Sequence, residues 1–352
     1  FEESEYMIDL RSDTLTMPDR AMLEAILTAP LGDDGRTDKN NRGEDKTINE
    51  LEDLVAATTG KESALLCPTG TFANTVGALL WAKAGEKVLV HEQQHMLLTE
   101  KFLFSDQFCR MEPIKYPFNA NNTPDIDAID NLLQESGAKL ICIENTHNFS
   151  GGYVIPVEEM AKLRAVADKY GAKIHMDGAR LFHATASLGV NAKEICQYVD
   201  SVMVCISKGI GAPVGALMCS TKAKVDEGRE IRKILGGGWR QGGVFAAPGI
   251  YAFKHNISRM IEDIENARLT ASLLQGKLQH ISLQKEVQSN ILVLDLAGAS
   301  VSPSRFCEMA KEKGLLIKTV LKTCVRLVYY KGITAEDAKA AANIILELDK
   351  SL

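Results

Sequence analysis

The sequence predicts an α/β protein: a mainly parallel sheet sandwiched by helices, followed by a smaller C-terminal α/β domain. Two observations predict it. From residue 60 onward, short apolar runs alternate with helix-period segments, the order expected of right-handed βαβ units. The length of 352 residues and the 45% hydrophobic composition exceed what one ordinary core needs. The first clear helix opens at Thr47-Ile48-Asn49-Glu50, where a capping box precedes Ile48, Leu51 and Val55 at helical spacing, and it ends near Gly60. Strand 64–67, a helix from Thr71, strand 87–91, a helix from about Asp125, strand 140–144 and helix 156–170 follow. Strands 172–176, 201–206 and 214–219 come next; little helix separates the last two, so one edge of the sheet is expected to be antiparallel. Beyond about residue 255 a long helix leads to strand 290–296, helix 302–314 and strand 324–330. A terminal helix opens at Thr334-Ala335-Glu336-Asp337. The expected domains are residues 1–255, large, and 256–352, small, with room for the N-terminal segment to pack on the small one.

Composition narrows the function classes. A net charge of −6 and the lack of a Lys/Arg-dense block argue against nucleic acid or an anionic membrane as the main partner. No apolar run reaches the roughly 18 residues of a membrane span, and the acidic start Phe1-Glu2-Glu3-Ser4-Glu5 is unlike a signal peptide. The reading is a cytoplasmic protein with a small-molecule partner. The eight cysteines are scattered, without a Cys-x-x-Cys pair, and are expected to be buried free thiols.

Several residues point to chemistry. Lys208 follows the apolar run 201–206, and Asp177 ends the apolar segment 172–176. A lysine and an aspartate at the carboxyl ends of buried strands suit pyridoxal phosphate, which needs an amine to hold its aldehyde and a carboxylate to keep its ring nitrogen protonated. Open α/β sheets bind ligands beyond such strand ends. Between strand 64–67 and the next helix, Pro68-Thr69-Gly70-Thr71 places small hydroxylated residues and a glycine at a helix N-terminus, where free N–H groups and the helix dipole suit a phosphate. The glycine-dense stretch 236–243 follows a helix-like segment and surrounds Arg240, which suits a loop presenting the arginine to an anion, within its own chain or across a subunit boundary. His95 and His147 follow strand ends on the same sheet edge as Lys208 and Asp177; His95 could lay its imidazole on a flat cofactor ring, and either can instead be a structural loop histidine. No His or Cys spacing resembles a zinc site and no Gly-x-Ser-x-Gly elbow is present, so no metal is expected.

Eight motifs in register across nearly the whole chain resemble the threonine aldolase (β-eliminating lyase) family of fold-type-I pyridoxal phosphate enzymes. They are Ile8-Asp9-Leu10-Arg11-Ser12-Asp13-Thr14, Gly43-Glu44-Asp45, Pro68-Thr69-Gly70-Thr71, Glu144-Asn145-Thr146-His147-Asn148, Asp177-Gly178-Ala179-Arg180, the stretch Ser207 to Gly215, Gly236 to Gln241, and Val325-Arg326-Leu327-Val328. The resemblance implies that Lys208 holds the cofactor covalently, Asp177 pairs with the pyridine nitrogen and His95 stacks on the ring. Thr69, Gly70 and Thr71 would hold the phosphate with help from Arg240. Ser12, Arg180 and Arg326 would bind the substrate α-carboxylate, a task suited to the arginine fork. The implied reaction is retro-aldol cleavage of L-threonine, L-allo-threonine and related β-hydroxy-α-amino acids to glycine and an aldehyde, with His147, or a water it holds, as base and His95 as rival. The alternatives are another lyase or aldolase on the same cofactor acting on an acidic β-substituted amino acid, and an aminotransferase. The family also implies a homotetramer built as a dimer of dimers. The chain departs from the family at Gly35 to Arg42, six residues longer than usual, and there Arg42, with Arg36 or Lys39, is a candidate reader of an extra anionic group. Thr99 and Tyr329-Tyr330 also differ from the family pattern and point to substrate choice.

Overall fold

The computed structural model describes residues 6–352, so the acidic start at residues 1–5 lies outside the described residues. In chain order the strands are β1 (Ile8–Asp9), β2 (Ser63–Cys67), β3 (Lys87–His91), β4 (Glu112–Tyr116), β5 (Leu140–Glu144), β6 (Lys173–Gly178), β7 (Ser201–Cys205), β8 (Ala216–Ser220), β9 (Ser282–Leu283), β10 (Ile291–Asp295), β11 (Leu315–Leu316), β12 (Lys318–Val320) and β13 (Cys324–Val328). The main sheet has the order β2-β8-β7-β6-β5-β3-β4. Side chains alternate across it as the strand period of two requires. Ile141 and Ile143 of β5 enter one core, with Ile174, Met176, Val202 and Val204. Leu140 and Cys142 enter the opposite core with Val88 and Val90. Helices cover both faces, which is why these strands read as continuous apolar runs.

The antiparallel pairing expected at one edge of the sheet is present, and the antiparallel strand itself, β8, lies one in from the end. β8 pairs antiparallel with both β7 and β2, and β2 closes the sheet beyond it. The connection from β7 to β8 is too short for a crossover helix, so the two can pair only as antiparallel neighbours. β4, unforeseen because its Glu112 and Lys115 break the apolar pattern, forms the other edge. The cap of helix Lys46–Thr59 also differs. Asp45 accepts from the N–H groups of Thr47 and Ile48, whereas Thr47 Oγ1 donates to the Pro30 carbonyl (3.0 Å). Gly60 ends this helix in the left-handed conformation (φ 71°). The Thr334–Asp337 capping box is present as expected.

The small sheet, β12-β13-β10-β9, is antiparallel and backed by helices Met260–Leu274, Pro303–Glu312 and Ala335–Asp349. β1 pairs in parallel with β11, and Ile8 and Leu10 are buried in this second core. That pairing carries the segment around Ser12 and Asp13 to the seam between the two cores. No helix among the described residues is long and apolar enough to cross a membrane.

Candidate active site

The carboxyl ends of β5, β6 and β7 open on a cavity of about 300 Å³ at this seam, lined by Glu144, Asp177 and Lys208 from the main sheet side and by Ser12 and Arg326 from the other. This is the crevice where open α/β sheets place ligands. Lys208 is half-buried, and its side-chain amine has no hydrogen-bond or ion-pair partner among the described residues.

Asp177 is buried, and both of its oxygens are engaged by donors. Oδ1 accepts from the Ala179 N–H (3.0 Å) and Oδ2 from Asn74 Nδ2 (3.0 Å). The Asn74 amide fixes the direction of a buried relay. Its Nδ2 donates to two carboxylates, Asp177 and Glu100, so Oδ1 faces His175 Nε2, which therefore carries a proton and donates to it (3.1 Å). His175 Nδ1 then accepts from the Ser201 hydroxyl (2.8 Å), whose oxygen accepts from Trp81 Nε1 (2.8 Å). Burial lowers the His175 pKa to about 4, consistent with a neutral ring in this relay. A Cβ at Gly77 would lie 2.2 Å from His175 Cε1, so glycine is what lets helix Gly70–Leu79 close over β6.

His95 lines the cavity beside Asp177. Glu100 Oε1 accepts from His95 Nδ1 (3.0 Å) and from Asn74 Nδ2 (3.0 Å), leaving His95 Nε2 as the free ring nitrogen. Burial alone would lower the His95 pKa; the Glu100 hydrogen bond and the nearby Asp177 and Glu144 charges outweigh it and raise it. His95, Glu100 and Asp177 offer ligand atoms within 4.8 Å of one another, and the Glu100 oxygen in that cluster is already engaged by His95 and Asn74.

The other end of the cavity is cationic. Arg180 and Asp13 are both buried and paired in a bidentate fork (2.7 and 2.8 Å). Burial would raise the Asp13 carboxyl, but Arg180 together with Lys208 and His183 holds it well below the usual carboxylate range. Asn148 Oδ1 accepts from both Arg180 Nη1 (3.0 Å) and Arg326 Nη1 (2.6 Å). Arg326 has no carboxylate within ion-pair distance among the described residues, and its buried Nε has no partner. Burial, and then the charge of Arg180, push it down to about 10. A buried guanidinium facing only neutral oxygens is a place for an anion.

Six of the residues expected from the sequence therefore line one cavity: Ser12, His95, Asp177, Arg180, Lys208 and Arg326. Thr69, Gly70 and Thr71 lie outside its lining. Thr69 Oγ1 caps helix Gly70–Leu79 by accepting from the Phe72 N–H (3.1 Å), and this N-terminus is about 6 Å, one helical turn, from Asn74. Three residues expected at the site stand away from this cavity. His147 is buried outside the cavity, between His91 and Phe118 (ring centroids 5.0 and 4.8 Å away), and Nδ1 is engaged by Ser150. Burial, and then His91, lower it to about 3, so it is not placed to take a substrate proton. Arg42 is bound to Asp53 and Asn49, and Arg240 to Asp33 with 71% of its side chain exposed. Arg240 lines a second cavity instead. Of the smaller departures, Thr99 lines the site cavity, whereas Tyr329 is buried against Thr270 and Tyr330 donates to the Asp9 carbonyl.

Sequence reasoning gave no role to Asp13, Glu144 or Asn148, although all three stand in quoted motifs. A carboxylate or amide flanking an expected arginine or histidine was the available signal. Lys318, Thr319 and Val320 of β12 also line the cavity and stand in no motif.

The sequence profile described as Beta-eliminating lyase matches residues 9–297. The low specificity L-threonine aldolase of Escherichia coli (strain K12) is 36% identical over 343 residues, covering 96% of this chain and 98% of the relative. Low-specificity L-threonine aldolase 1 of Arabidopsis thaliana is 33% identical over 340 residues, covering 94% and 93%. The solved threonine aldolase of Leishmania major superposes with a TM-score of 0.80 at 16% identity, covering 97% of this chain and 99% of that one, a likeness of fold. With a profile match over most of its length and relatives sharing a third of its residues end to end, the chain belongs to the β-eliminating lyase family.

Proposed function

We propose that the protein is a pyridoxal phosphate-dependent aldolase that cleaves L-threonine, L-allo-threonine and related β-hydroxy-α-amino acids to glycine and an aldehyde. The observation that carries this reading is one cavity with an unpartnered lysine, a buried aspartate held by donors, and a buried arginine lacking a carboxylate. The residues fit the cofactor by the chemistry of their donors: an amine for its aldehyde, a carboxylate for its ring nitrogen, and the free N–H groups of Gly70 and Thr71 for its phosphate. When bound, the cofactor supplies an electron sink for the pair released from the substrate's Cα–Cβ bond.

The chain's own residues then select that bond. Arg326, with Arg180 and Ser12, clamps the α-carboxylate and sets the orientation of the groups on Cα. His95 Nε2 takes the β-hydroxyl proton, because Glu100 holds the proton on Nδ1 and keeps Nε2 available. Asp177, whose two oxygens accept from Asn74 and Ala179, would face the cofactor's ring nitrogen as its acceptor.

The reading extends to a cytoplasmic homotetramer built from dimers. It is supported by the apolar side chains exposed around helix Arg20–Leu27, among them Met17 (76%), Leu27 (84%) and Leu31 (46%). In such an assembly Arg240, turned away from its own chain's cavity, would serve a neighbour's phosphate.

The test is acetaldehyde release from L-allo-threonine by cofactor-loaded protein, read with a coupled dehydrogenase. Release is expected, falling by more than about 10⁴-fold in Lys208→Ala, the scale on which removal of a covalent catalytic group acts. A wild-type protein that binds cofactor and glycine but releases no aldehyde would refute the reading.

A further inference from the structure

Glu144 ends β5, next to Asp177 in register on β6, and it is only 2% exposed. A buried carboxylate is ordinarily matched by a cation, because desolvating the charge is costly. Glu144 has no ion-pair partner among the described residues. Burial, and then the Asp177 charge, push it up to about 7, which reflects how unfavourable the placement is.

Its two oxygens reach two different loops. Oε2 accepts from the backbone N–H of His95, in the loop after β3, and Oε1 from the backbone N–H of Asn148, in the loop after β5, each at 2.9 Å. Each loop carries one half of the cavity. His95 continues through Glu100 and Asn74 to Asp177, the cofactor-binding half. Asn148 bridges Arg180 and Arg326, the carboxylate-binding half. One rigid side chain on a central strand thus ties together the two ends that must act on one molecule.

We propose that Glu144 is a positioning residue that fixes the His95 face of the cavity relative to the Asn148–Arg180–Arg326 end, so that amino acid and cofactor are presented to each other in register. The proposal rests on the functional reading above for the identity of the two ligands. A capping carboxylate with a purely structural role would affect folding alone. A positioning role affects both ligands in the folded protein, because each end loses its reference to the other.

The test uses Glu144→Gln and Glu144→Asp in the full chain. An amide accepts at one end only and turns an N–H against the other loop's N–H. Aspartate keeps the charge but is one methylene too short to reach both loops. Pyridoxal phosphate affinity is read by fluorescence quenching, and glycine affinity by the change in cofactor absorbance, neither of which requires turnover. With a native circular dichroism spectrum, both dissociation constants are expected to rise about tenfold in each variant, and kcat with L-allo-threonine to fall by up to ~10²-fold, the loss that misplacement by about 1 Å produces. If either variant folds and keeps both affinities within twofold of wild type, the proposal is overturned. If wild type binds both ligands and cleaves nothing, the aldolase reading fails, and the binding constants still decide the role of Glu144.

Discussion

Two cavities of similar size, about 300 and 280 Å³, are lined by arginines in this protein, and they differ in what those arginines face. In the second, buried Asp34 accepts from Arg229 and Arg232, and buried Glu52 accepts from Arg229 (3.1 Å). Two cations meet two carboxylates there, and the 35–42 loop closes the wall with Asn41 bonded to Asp226 (3.2 Å). In the site cavity Arg180 is likewise closed by Asp13, but among the described residues Arg326 meets only the oxygens of Asn148 and Arg11. Charge density is similar in the two places. What marks the site is a charge left open, since a buried cation without a counterion gains most from an arriving anion.

The comparison can be broken at its strongest point by removing a paired arginine from each cavity. Arg180→Ala strands buried Asp13 and is expected to lower unfolding free energy by about 3–5 kcal/mol in urea titrations, whereas Arg232→Ala leaves Asp34 paired with Arg229 and should cost less. Only Arg180→Ala should also raise KM for the amino acid. Equal KM values in the two variants would show that the site cavity is not where the substrate binds.

Removing the open charge should behave in the opposite way. Arg326→Ala is expected to raise KM by about 10- to 100-fold, the loss of charge-assisted hydrogen bonds worth about 1.5–3 kcal/mol, with stability unchanged or improved. A destabilisation as large as that of Arg180→Ala would mean that Arg326 is structural.

Acid separates the regions next, because His147 and His175 lie buried near the site, and no histidine lines the second cavity. Burial, and for His147 also His91, lower their pKa values from 6.5 to about 3 and about 4. The unfolded chain therefore takes up protons first, and the stability they contribute is whole above about pH 6.5 and lost as pH falls toward 3. Asp13, held below its ordinary range, loses its contribution only at still lower pH. Urea midpoints should fall between pH 6.5 and 4, less steeply in His147→Phe. An unchanged slope in that variant would remove His147 from the account.

The smallest effect is expected in the second region's wall. Arg42 pairs with Asp53, whose side chain is 67% exposed, so Arg42→Ala should cost less than about 1 kcal/mol. It should leave the ranking of acidic and neutral substrates unchanged. A changed ranking would restore the 35–42 loop to the substrate mouth of a neighbouring chain.

Much of the fold was legible in local pattern. Strands 87–91 and 140–144 fall where their apolar runs place them, and Gly60 and the Thr334–Asp337 box bound helices as their chemistry requires. The helix at residue 46 was legible but its cap was not, because Asp45 and Thr47 are both competent and only the Pro30 carbonyl, 17 positions away, engages Thr47. β4 and β12 were missed because an edge strand and a three-residue strand carry too little apolar pattern. In the site, residues in motifs were found, and their supporting acceptors were not. His147 and His95 looked alike in sequence, each after a strand end, and burial against His91 and Phe118 separates them.

By itself the sequence determined the α/β class, the strands that end on Lys208 and Asp177, and the side chains available for a cofactor and a carboxylate. These depend on periods of two and 3.6 and on short motifs, all read within a few residues. Only the tertiary structure decided which charges are open: Asp13 closes Arg180 across 167 positions, Asp34 closes Arg232 across 198, and nothing comparable among the described residues closes Arg326. Ion pairing is settled by distance and desolvation in the folded chain, and neither is written in any local stretch of residues.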